Sequence, residues 1–357
     1  CYTILKLAST DVGGCTMALL AIDYHGSGTF RAREYEPTDP GAGEVQIAVA
    51  YTGICGTDLT IAHGGMDRRV KSPWPIGHEM SGTIARIGTG VDGWTVGDKV
   101  TVMPLDCCGQ CPACTACNTH ICHDLTFVGI DSPGSLQDRW NVMAGWLGRL
   151  PQDMELRTAA LVEPVAVAVH DVNRAQVVAG DKVAVIGGGP IGLLIAVIAR
   201  ERGAEVLLSE VAASRLALAE RLGFRTVDPS EDDLVAVINE WTGEAGADIA
   251  FEVSGSVPCV KAMTDVLRRR GLGVIVGIQP KAPPVDVFGV FWKELSIIGA
   301  RVYQRTDFEE AVRLVAAGTI PTDEMISDVM PLAETAAAVE RLDSGEDVVK
   351  VLIASAG

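Results

Sequence analysis

Residues 182–204 read KVAVIGGGPIGLLIAVIARERGA. This stretch gives the clearest indication of how the surrounding chain folds. The apolar run KVAVI predicts a buried β-strand, and LLIAVIARERGA predicts a helix directly after it. Gly187, Gly189 and Gly192 lie between the two and form the pattern G-x-G-x-x-G. A strand that enters such a turn and leaves it as a helix is typical of a dinucleotide-binding site.

Each residue of this turn has a distinct expected role. Gly187 permits a tight turn, Gly189 lets the backbone approach a pyrophosphate, and Gly192 lets the helix pack closely on the strand. Pro190 and Ile191 are also expected at the cofactor, and the N-terminus of the helix that follows directs free N–H groups and the positive end of its dipole toward the phosphates. An ordinary glycine turn would show the same letters, so the downstream sequence has to support the assignment.

Glu210 provides that support and favours NAD over NADP. The next predicted strand ends at Ser209-Glu210, roughly 20 residues beyond the turn, where an acidic side chain binds the ribose hydroxyls of the adenosine. The Glu210 carboxylate would repel a 2′-phosphate. Arg215 lies nearby and keeps NADP as the less favoured alternative.

The segments around this turn indicate an α/β fold. Strand-like stretches alternate with helical periodicity such as 214–223, which is typical of a doubly wound parallel sheet with helices on both faces. The strand-like stretches are 182–187, 205–210, 249–255, 271–278 and 294–300. An amphipathic helix at 307–318 and a strand at 347–355 follow.

The part of the chain before residue 160 has a different character. Short alternating segments are separated by Gly and Pro turns, which predicts a β-rich, barrel-like domain. Its clearest strand-like segments are 44–54, 82–91 and 98–104.

Composition and charge exclude several classes of function. The 357 residues are 48% hydrophobic and 21% charged, as in a globular protein long enough for two domains. The net charge of −17 argues against a nucleic-acid partner, because phosphate binding depends on Lys and Arg. No apolar run reaches the roughly 18 residues that predict a membrane span, and no secretory signal is recognised. We expect a cytoplasmic protein with a small-molecule substrate, in which residues 1–16 are a non-native or disordered prefix before Met17.

Six of the ten cysteines lie in residues 107–122, which read CCGQCPACTACNTHIC. In the cytoplasm, clustered cysteines are metal ligands more often than disulfides. The spacing C-x2-C-x2-C-x7-C suits a tetrahedral zinc with four thiolates and no open position, which is a structural site. Its ligands are Cys108, Cys111, Cys114 and Cys122. An iron–sulfur run that uses Cys117 is less favoured, because such runs end in a longer gap followed by Pro. Cys107 and Cys117 are left without a role.

A second metal site is expected elsewhere, because four thiolates leave no position for a substrate. Cys55 lies in the unusual setting GICGTD, and His78 and Glu79 follow in GHE. Glu163 interrupts the apolar run AALVEPVAVAV, where a buried carboxylate is costly unless it meets a metal or a partner. Each residue also has an interpretation without a metal. Cys55 would be a core cysteine, His78 a structural histidine, and Glu163 an exposed helix cap before Pro164.

In order and approximate spacing, these motifs resemble those of the zinc-dependent medium-chain alcohol dehydrogenases. The motifs are GICGTD, GHE, the four-cysteine loop, the Glu-Pro pair and GGGPIG. A Glu at the third metal position is similar to the sorbitol, butanediol and threonine dehydrogenases of this superfamily. The resemblance runs from Met17 to the C-terminus. It implies a GroES-like catalytic domain, 17–164 with 301–357, an inserted Rossmann domain, 165–300, and assembly as a homodimer or homotetramer.

The resemblance also implies roles at a catalytic zinc. Cys55, His78 and Glu163 hold the metal and leave a fourth position for water or substrate, and Glu79 is an alternative ligand at that position. Asp58 is expected to hydrogen-bond His78 and to orient its ring. Zinc lowers the pKa of the bound alcohol toward about 7, and a hydride then passes to the nicotinamide.

The proton relay is expected to begin at Thr57, whose hydroxyl resembles the group that takes the alcohol proton. Many relatives continue through a His five residues after the zinc Cys, where this chain has Thr60. His63 or water is expected to replace that His. The Arg-Tyr pair of polyol-active relatives is split here into Arg301 and Tyr303, for which exposed linker residues are an equal alternative.

The sequence therefore predicts a zinc- and NAD-dependent oxidoreductase that converts a small secondary alcohol, diol or polyol to a ketone, with one catalytic and one structural zinc. A dehydrogenase of threonine or another amino alcohol is the nearest enzymatic alternative. A zinc-stabilised nucleotide-binding protein without activity and a zinc-free quinone reductase of the same fold are disfavoured, because both metal motifs are complete.

Overall fold

The computed structural model of the chain describes residues 18–71, 73–279, 281–344 and 348–356. The prefix expected before Met17 lies outside these residues. Within them the strands are β1 (Leu19–Tyr24), β2 (Phe30–Tyr35), β3 (Glu44–Gly53), β4 (Trp74–Pro75), β5 (Glu79–Ile87), β6 (Lys99–Val102), β7 (Leu105–Asp106), β8 (Thr126–Phe127), β9 (Arg139–Met143), β10 (Leu147–Arg149), β11 (Lys182–Ile186), β12 (Glu205–Ser209), β13 (Arg225–Val227), β14 (Ala247–Glu252), β15 (Leu267–Ile275), β16 (Ser296–Gly299), β17 (Ile326–Pro331) and β18 (Lys350–Ala354).

The helices of the same residues are α1 (Gly56–Ala62), α2 (Pro112–Thr115), α3 (Leu156–Ala159), α4 (Val162–Ala175), α5 (Pro190–Glu201), α6 (Ala213–Arg221), α7 (Leu234–Thr242), α8 (Val257–Val266), α9 (Val287–Lys293), α10 (Arg305–Ala316), α11 (Thr322–Met325) and α12 (Thr335–Asp343). Short 3-10 turns lie at Thr119–Ile121, Ala144–Trp146 and Leu332–Glu334. In this described part of the chain, no helix combines the length and the apolar character that crossing a bilayer requires.

The chain divides into two compact units. The first contains the residues up to Glu163 and those from Ala311 onward, and the second contains Pro164–Glu310. The expected domain limits, 17–164 with 301–357 and 165–300, stay predictions.

The second unit is built on a six-stranded, all-parallel sheet. Its strand order is β13-β12-β11-β14-β15-β16, which is the order of the doubly wound dinucleotide-binding fold. In β11, Ile186 pairs with Ser209 of β12 and with Glu252 of β14, so the carboxyl ends of these strands meet at one edge of the sheet. Ligands bind in this fold at the carboxyl edge, where the strand order reverses between β11 and β14.

The first unit is built around the long strand β3. Its largest sheet has the order β10-β6-β5-β3-β18-β17, and β9 also pairs with β3. Val45, Ile47 and Val49 of β3 are fully buried in one apolar cluster with neighbouring strands. This burial explains the apolar alternation that predicted the strand.

The register of this sheet positions a site. Gly53, at the end of β3, pairs with Glu79, at the start of β5, and with Leu352 in the middle of β18, so the residues after Gly53 lie beside the start of β18. The residues after β3, before and at the start of β5, and at the start of β18 therefore lie together at one end of the sheet.

Candidate active site

Three side chains with metal-binding atoms converge at this end of the sheet. Cys55 follows β3 and caps helix α1, while His78 and Glu79 lie at the entrance of β5. One ligand atom from each residue lies within 4.8 Å of the other two. A thiolate, an imidazole and a carboxylate are the donors that zinc takes in catalytic sites, so this set fits the metal that the sequence predicts.

The site is buried and rich in negative charge. His78 and Glu79 are 3% and 1% exposed, whereas Cys55 is partly exposed. Burial lowers the pKa of His78, but the neighbouring Asp58 carboxylate and Cys55 thiolate raise it more, together with Glu163, to about 10. The anionic groups around His78 therefore favour a cation among them.

Asp58 does not make the hydrogen bond that was expected of it. Its Oδ1 atom lies 3.9 Å from His78 Nδ1, which is too long, and both atoms are buried without a hydrogen-bond partner among the described residues. The Oδ2 atom accepts instead from the backbone N–H of Cys55 at 2.9 Å. Asp58 therefore fastens the start of α1 beside the Cys55 thiol, because the helix begins directly after Cys55.

Glu163 lies in the first turn of α4 and is 3% exposed, so the alternative of an exposed helix cap is wrong. Its carboxylate is not in the group that Cys55, His78 and Glu79 form within 4.8 Å. Its charge still raises the pKa of His78 and of Lys350. Its ligation of zinc stays a prediction.

Lys350 is the site residue that the sequence reasoning missed. This lysine is 3% exposed at the start of β18, and its Nζ lies 2.6 Å from Glu79 Oε2. Burial lowers the pKa of Lys350, but Glu79 and Cys55 raise it more, so that the net shift is upward. The sequence does contain a signal for a buried charge at this position. Lys350 is the single charged residue of the apolar stretch VVKVLIA, as Glu163 is of its own apolar run.

The structure places the predicted relay residues on and beside α1. Thr57 lies in the first turn, partly exposed and two residues from Cys55. The Thr60 hydroxyl donates to the Gly56 carbonyl at 3.0 Å, within the same helix. His63 caps the end of the helix, where its Nε2 lies 2.9 Å from Asp343 Oδ1.

The four-cysteine loop assembles with the predicted members. One sulfur from each member lies within 4.8 Å of the others, and these members are Cys108, Cys111, Cys114 and Cys122. Cys117 is exposed and outside the group, so the loop does not arrange the iron–sulfur pattern. Four converging thiols fit a structural zinc.

Backbone N–H groups support the negative charge that such a site needs. Cys122 Sγ accepts from the N–H groups of Cys108 and Asp124, each at 3.3 Å. The N–H of His123 lies 3.4 Å from Cys111 Sγ and, as the largest contribution, lowers the pKa of that thiol. The lowered pKa of Cys111 favours its thiolate, which is the form that binds metal, whereas burial raises the pKa of Cys114 to about 12.

In the second unit the glycine turn has the geometry that its sequence predicts. Gly187 has a φ of +111°, a region that residues with a Cβ rarely adopt. A Cβ on Gly192 would overlap the Gly187 carbonyl oxygen, so α5 can lie against the turn only with glycine there. A Cβ on Gly189 would meet only Arg215, at 3.9 Å, which leaves open space beside the backbone for a pyrophosphate.

Glu210 lies directly after β12 and is tied to this turn. Its Oε2 accepts from the N–H of Gly188 at 2.8 Å, and its Oε1 accepts from Val211 and Ala212 at 2.8 and 2.9 Å. Arg215 lies 3.6 Å from the same carboxylate. Glu210 is thus an anion with several partners at the edge where the sequence predicts the ribose.

The split Arg-Tyr pair has two different environments. Arg301 is exposed, whereas Tyr303 is fully buried and stacks on Phe308 with ring centroids 5.7 Å apart. The alternative of two exposed linker residues is therefore wrong for Tyr303.

Comparisons with known proteins agree with this geometry. Residues 41–152 match the family described as alcohol dehydrogenase GroES-like domain, and residues 190–317 match the family described as zinc-binding dehydrogenase. A 2-dehydro-3-deoxy-L-galactonate 5-dehydrogenase from Pseudoalteromonas atlantica is 49% identical over 94% of this chain and 98% of that protein. The chain belongs to the zinc-dependent medium-chain alcohol dehydrogenase superfamily.

Other members of this superfamily cover the same length of chain. A sorbitol dehydrogenase from Halalkalibacterium halodurans is 33% identical over 94% of this chain and 99% of its own. The crystal structure of a protein described as a zinc-binding dehydrogenase from Sinorhizobium meliloti, bound to NADP, superposes with a TM-score of 0.89. That structure is 30% identical and covers 95% of this chain and 100% of its own.

As a zinc-dependent medium-chain dehydrogenase, the protein is an oxidoreductase that acts on CH–OH donors and takes a small-molecule substrate. The predicted fold class is confirmed, because a GroES-like β-rich domain accompanies a Rossmann-type parallel sheet. NAD(P) dependence is typical of this superfamily.

Proposed function

We propose that the protein oxidises a secondary hydroxyl of a sugar acid or polyol to a ketone, with NAD as acceptor and zinc at the site of Cys55. The observation that carries this proposal is the buried, anionic set of Cys55, His78 and Glu79 at the end of the β5-β3-β18 sheet. The 49% identity to a sugar-acid dehydrogenase supports the substrate class.

In this proposal Cys55 and His78 would hold a zinc ion, with Glu163 or the nearer Glu79 as a further protein ligand. When bound, zinc supplies a positive charge that lowers the pKa of an alcohol and polarises a carbonyl. The protein residues orient the donors: Asp58 fixes the backbone of Cys55, and the burial of His78 keeps bulk water from its ring. The thiolate of Cys55 and one carboxylate would together balance the two positive charges of the metal.

Thr57 is the group that we propose to move the proton of the alcohol. Its hydroxyl donates and accepts, so it can take the alcohol proton while it releases its own. Thr60 is held in a hydrogen bond within α1 and His63 is paired with Asp343. Release of the proton to solvent through His63 or through water stays a prediction.

We propose NAD as the preferred cofactor because of Glu210. A 2′-phosphate beside this carboxylate would meet like charge, and the nearby cation Arg215 already lies 3.6 Å from it. Comparison of kcat/KM for NAD and NADP tests this preference. A higher value for NADP, the cofactor bound in the Sinorhizobium meliloti relative, contradicts it.

Two measurements test the activity itself. Metal analysis should give two zinc ions per chain, and Cys55→Ala should lose one of them and all turnover while it remains folded. Cys117→Ala is the matched control, since this exposed thiol lies outside both metal groups, and it should keep both ions. Turnover retained by Cys55→Ala contradicts the mechanism.

The substrate class is tested by NAD reduction with sugar acids, polyols, diols and threonine. We expect the highest kcat/KM with a sugar acid that carries a 2-keto-3-deoxy group, as in the name of the Pseudoalteromonas atlantica relative. Preference for threonine favours the amino-alcohol alternative. A fully zinc-loaded protein that is inert with every compound overturns the proposal.

We also propose that the protein assembles as a homodimer or homotetramer through α9. Four large apolar residues of this helix are at least 64% exposed, and these are Val287, Phe288, Phe291 and Trp292. The helix precedes β16, which ends its sheet and carries an unpaired edge in the described part of the chain. An exposed apolar patch of this kind marks a protein interface. Light scattering should show that Phe291→Asp dissociates the assembly, whereas Val178→Asp, at another exposed apolar residue, should not.

The cytoplasm is the location that we propose, because the four-cysteine loop needs reduced thiols. Fractionation of cells that make the protein tests this location.

A further inference from the structure

Three cations lie within four residues of the chain segment that joins α1 to β5. Residues 68–71 read RRVK, in a chain whose net charge is −17. The segment begins with the helix that follows Cys55 and ends at His78, directly before β5. Its middle is an ordered turn, because the carbonyl of Met66 accepts a hydrogen bond from the N–H of Arg69 at 2.8 Å. The basic residues therefore lie on a segment that is anchored at the candidate active site at both ends.

The side chain of Arg69 is fixed by a second loop. Its Nε and Nη2 atoms donate to the two carboxylate oxygens of Asp131, at 2.6 and 2.7 Å. Asp131 Oδ2 also accepts from the N–H of Phe127 at 2.8 Å, and the ring of Phe127 packs against the ring of His78 with centroids 5.1 Å apart. Asp131 thus joins Arg69 to the residue that packs on His78. The side chain of Arg69 is 38% exposed, so a ligand can reach the guanidinium.

The guanidinium of Arg69 has donors left over from this pairing. An arginine carries five N–H donors, and the Nε–H and one Nη2–H that face Asp131 form one edge of the group. Among the described residues, the Nη1 atom of Arg69 makes no hydrogen bond. Nη1–H and the second Nη2–H form another edge, which can bind a second carboxylate by two parallel hydrogen bonds.

Positive charge is in excess around Asp131. Burial raises the pKa of this carboxyl group, but hydrogen bonds from Arg69 and from a backbone N–H lower it more, together with the charge of Lys71, so that the net shift is downward. Asp131 is therefore ionised at neutral pH. The three cations of residues 68–71 exceed the two carboxylates beside them, those of Asp67 and Asp131, by one. An anionic ligand would balance this excess.

An acidic substrate needs such a cation near the candidate active site. Cys55 and Glu79 bring negative charge to the site, so a substrate carboxylate would be repelled by them and by the net charge of the chain. Arg69 lies outside the set of metal-binding side chains, yet it is joined to His78 through Asp131 and Phe127. It can therefore bind the carboxylate end of a substrate whose hydroxyl end lies at Cys55.

We propose that Arg69 is the specificity-determining residue that binds the carboxylate of a sugar acid, with Arg68 and Lys71 adding positive charge around it. This inference rests on the proposed function, from which it takes the sugar-acid substrate. Asp131 is a positioning residue, because it holds one edge of the guanidinium and leaves the other edge to the substrate. A polyol has a neutral hydroxyl group in place of the carboxylate and gains less from the same guanidinium.

The test compares wild type, Arg69→Met and Arg69→Lys in NAD reduction with an acidic and a neutral compound. The acidic compound is a 2-keto-3-deoxy hexonate, and the neutral compound is galactitol. Arg69→Met should raise KM for the acid about 10- to 100-fold, because it removes hydrogen bonds between charged groups. Its kcat for the acid and its kcat/KM for galactitol should each change by less than about twofold, because the lost contact is remote from the reacting hydroxyl.

Arg69→Lys retains the positive charge beside Asp131 but lacks the second edge of donors. It should raise KM for the acid at least about fivefold, because a lysine does not replace a two-point arginine contact. An unchanged KM for the acid in Arg69→Met overturns the inference. Equal losses with the acid and with galactitol, or a lower kcat with the acid, indicate a structural role and also overturn it. If Arg69→Met fails to fold, Arg69→Lys decides by the same criteria.

Arg33→Met is the matched control. Arg33 also holds an aspartate by two hydrogen bonds, since its Nε and Nη2 atoms donate to Asp23 at 2.5 and 3.0 Å, and its side chain is 48% exposed. Its partner lies in β1 and not in the loop that packs on His78. Arg33→Met should change neither KM nor kcat for either compound.

The kinetics of the fully zinc-loaded wild type separate this inference from the proposed function. If the wild type oxidises neither compound, the proposed function fails and this inference fails with it. Oxidation of galactitol alone overturns this inference and leaves the proposed function in place. Oxidation of the acid with a KM that Arg69→Met leaves unchanged does the same.

Discussion

Gly192→Ala tests the packing of α5 on the glycine turn. A Cβ at this position would lie 1.9 Å from the carbonyl oxygen of Gly187, about 1.5 Å short of the 3.4 Å at which ordinary contact begins. The obstructing atom is backbone and cannot rotate away, so the helix itself has to move. Overpacking of this kind costs about 1–3 kcal/mol or more, whereas Ala gains about 1 kcal/mol over Gly within a helix.

The clash meets a backbone atom and lies at the upper end of this range, so it outweighs the helix propensity and a net loss of about 2 kcal/mol is expected. For a domain of this size, that loss lowers the melting temperature by roughly 4–8 °C. Calorimetry measures the stability, and titration of NADH by its fluorescence measures cofactor binding. Gly192→Ala should impair both, because the displaced helix carries the N–H groups that face the phosphates.

Gly189→Ala is the matched control in the same turn. Its Cβ would meet only Arg215 at 3.9 Å, and its φ of −65° suits alanine, so stability should change by less than about 1 kcal/mol. NADH binding should nevertheless weaken, since the methyl group fills the space expected for the pyrophosphate. A Gly192→Ala protein with wild-type melting refutes the packing argument, and wild-type NADH affinity in Gly189→Ala refutes the placement of the cofactor.

Two further predictions concern the metal loop and a buried acid. Cys122→Ser should reduce the zinc content from two ions to one per chain and lower the melting temperature, whereas Cys117→Ser should change neither. Metal analysis measures the zinc content and calorimetry the melting temperature. Equal zinc loss in the two variants would contradict the assignment of Cys122 as a ligand. Burial, with a smaller contribution from Asp307, raises the pKa of Asp171 well above 3.8, and both carboxylate oxygens lack hydrogen-bond partners among the described residues. The folded state thus binds this proton more tightly than the unfolded state, so stability falls as pH rises from about 3.8 through the raised pKa. Asp171→Asn should flatten this fall in urea unfolding between pH 4 and 8, and an unchanged pH profile would refute the buried neutral acid.

Local sequence patterns predicted most of the fold because each depends on neighbours in the chain. The glycine turn at 187–192 requires a particular backbone, and the apolar run before it requires burial on both faces of a sheet. The loop 108–122 closes four thiols over a short stretch. The repeated alternation of strands and helices indicates the doubly wound fold. The strand order of the parallel sheet then follows from the general rules of that fold.

The limits of the strands and their pairing partners are harder to predict from local sequence. Strand β5 begins at Glu79, three residues before the predicted segment, because Glu79 pairs with Gly53 across the sheet. The sequence leaves Tyr303 open between the Arg-Tyr pair of polyol-active relatives and an exposed linker residue, whereas its burial and its stacking on Phe308 place it in the core. Such outcomes depend on partners that are distant along the chain.

Local sequence predicted the chemical groups of the protein: a dinucleotide turn, a loop of four thiols suited to zinc and the isolated candidates Cys55, His78 and Glu163. These residue types and spacings are local, and they carry chemical meaning before any folding is known. The contacts among the charged side chains around Cys55 depend on the tertiary structure. It separated Asp58 from His78 by 3.9 Å and brought Lys350, 271 residues away in sequence, onto Glu79. Register among the antiparallel strands β5, β3 and β18 sets the second result, because pairing across a sheet joins residues whose separation along the chain carries no signal.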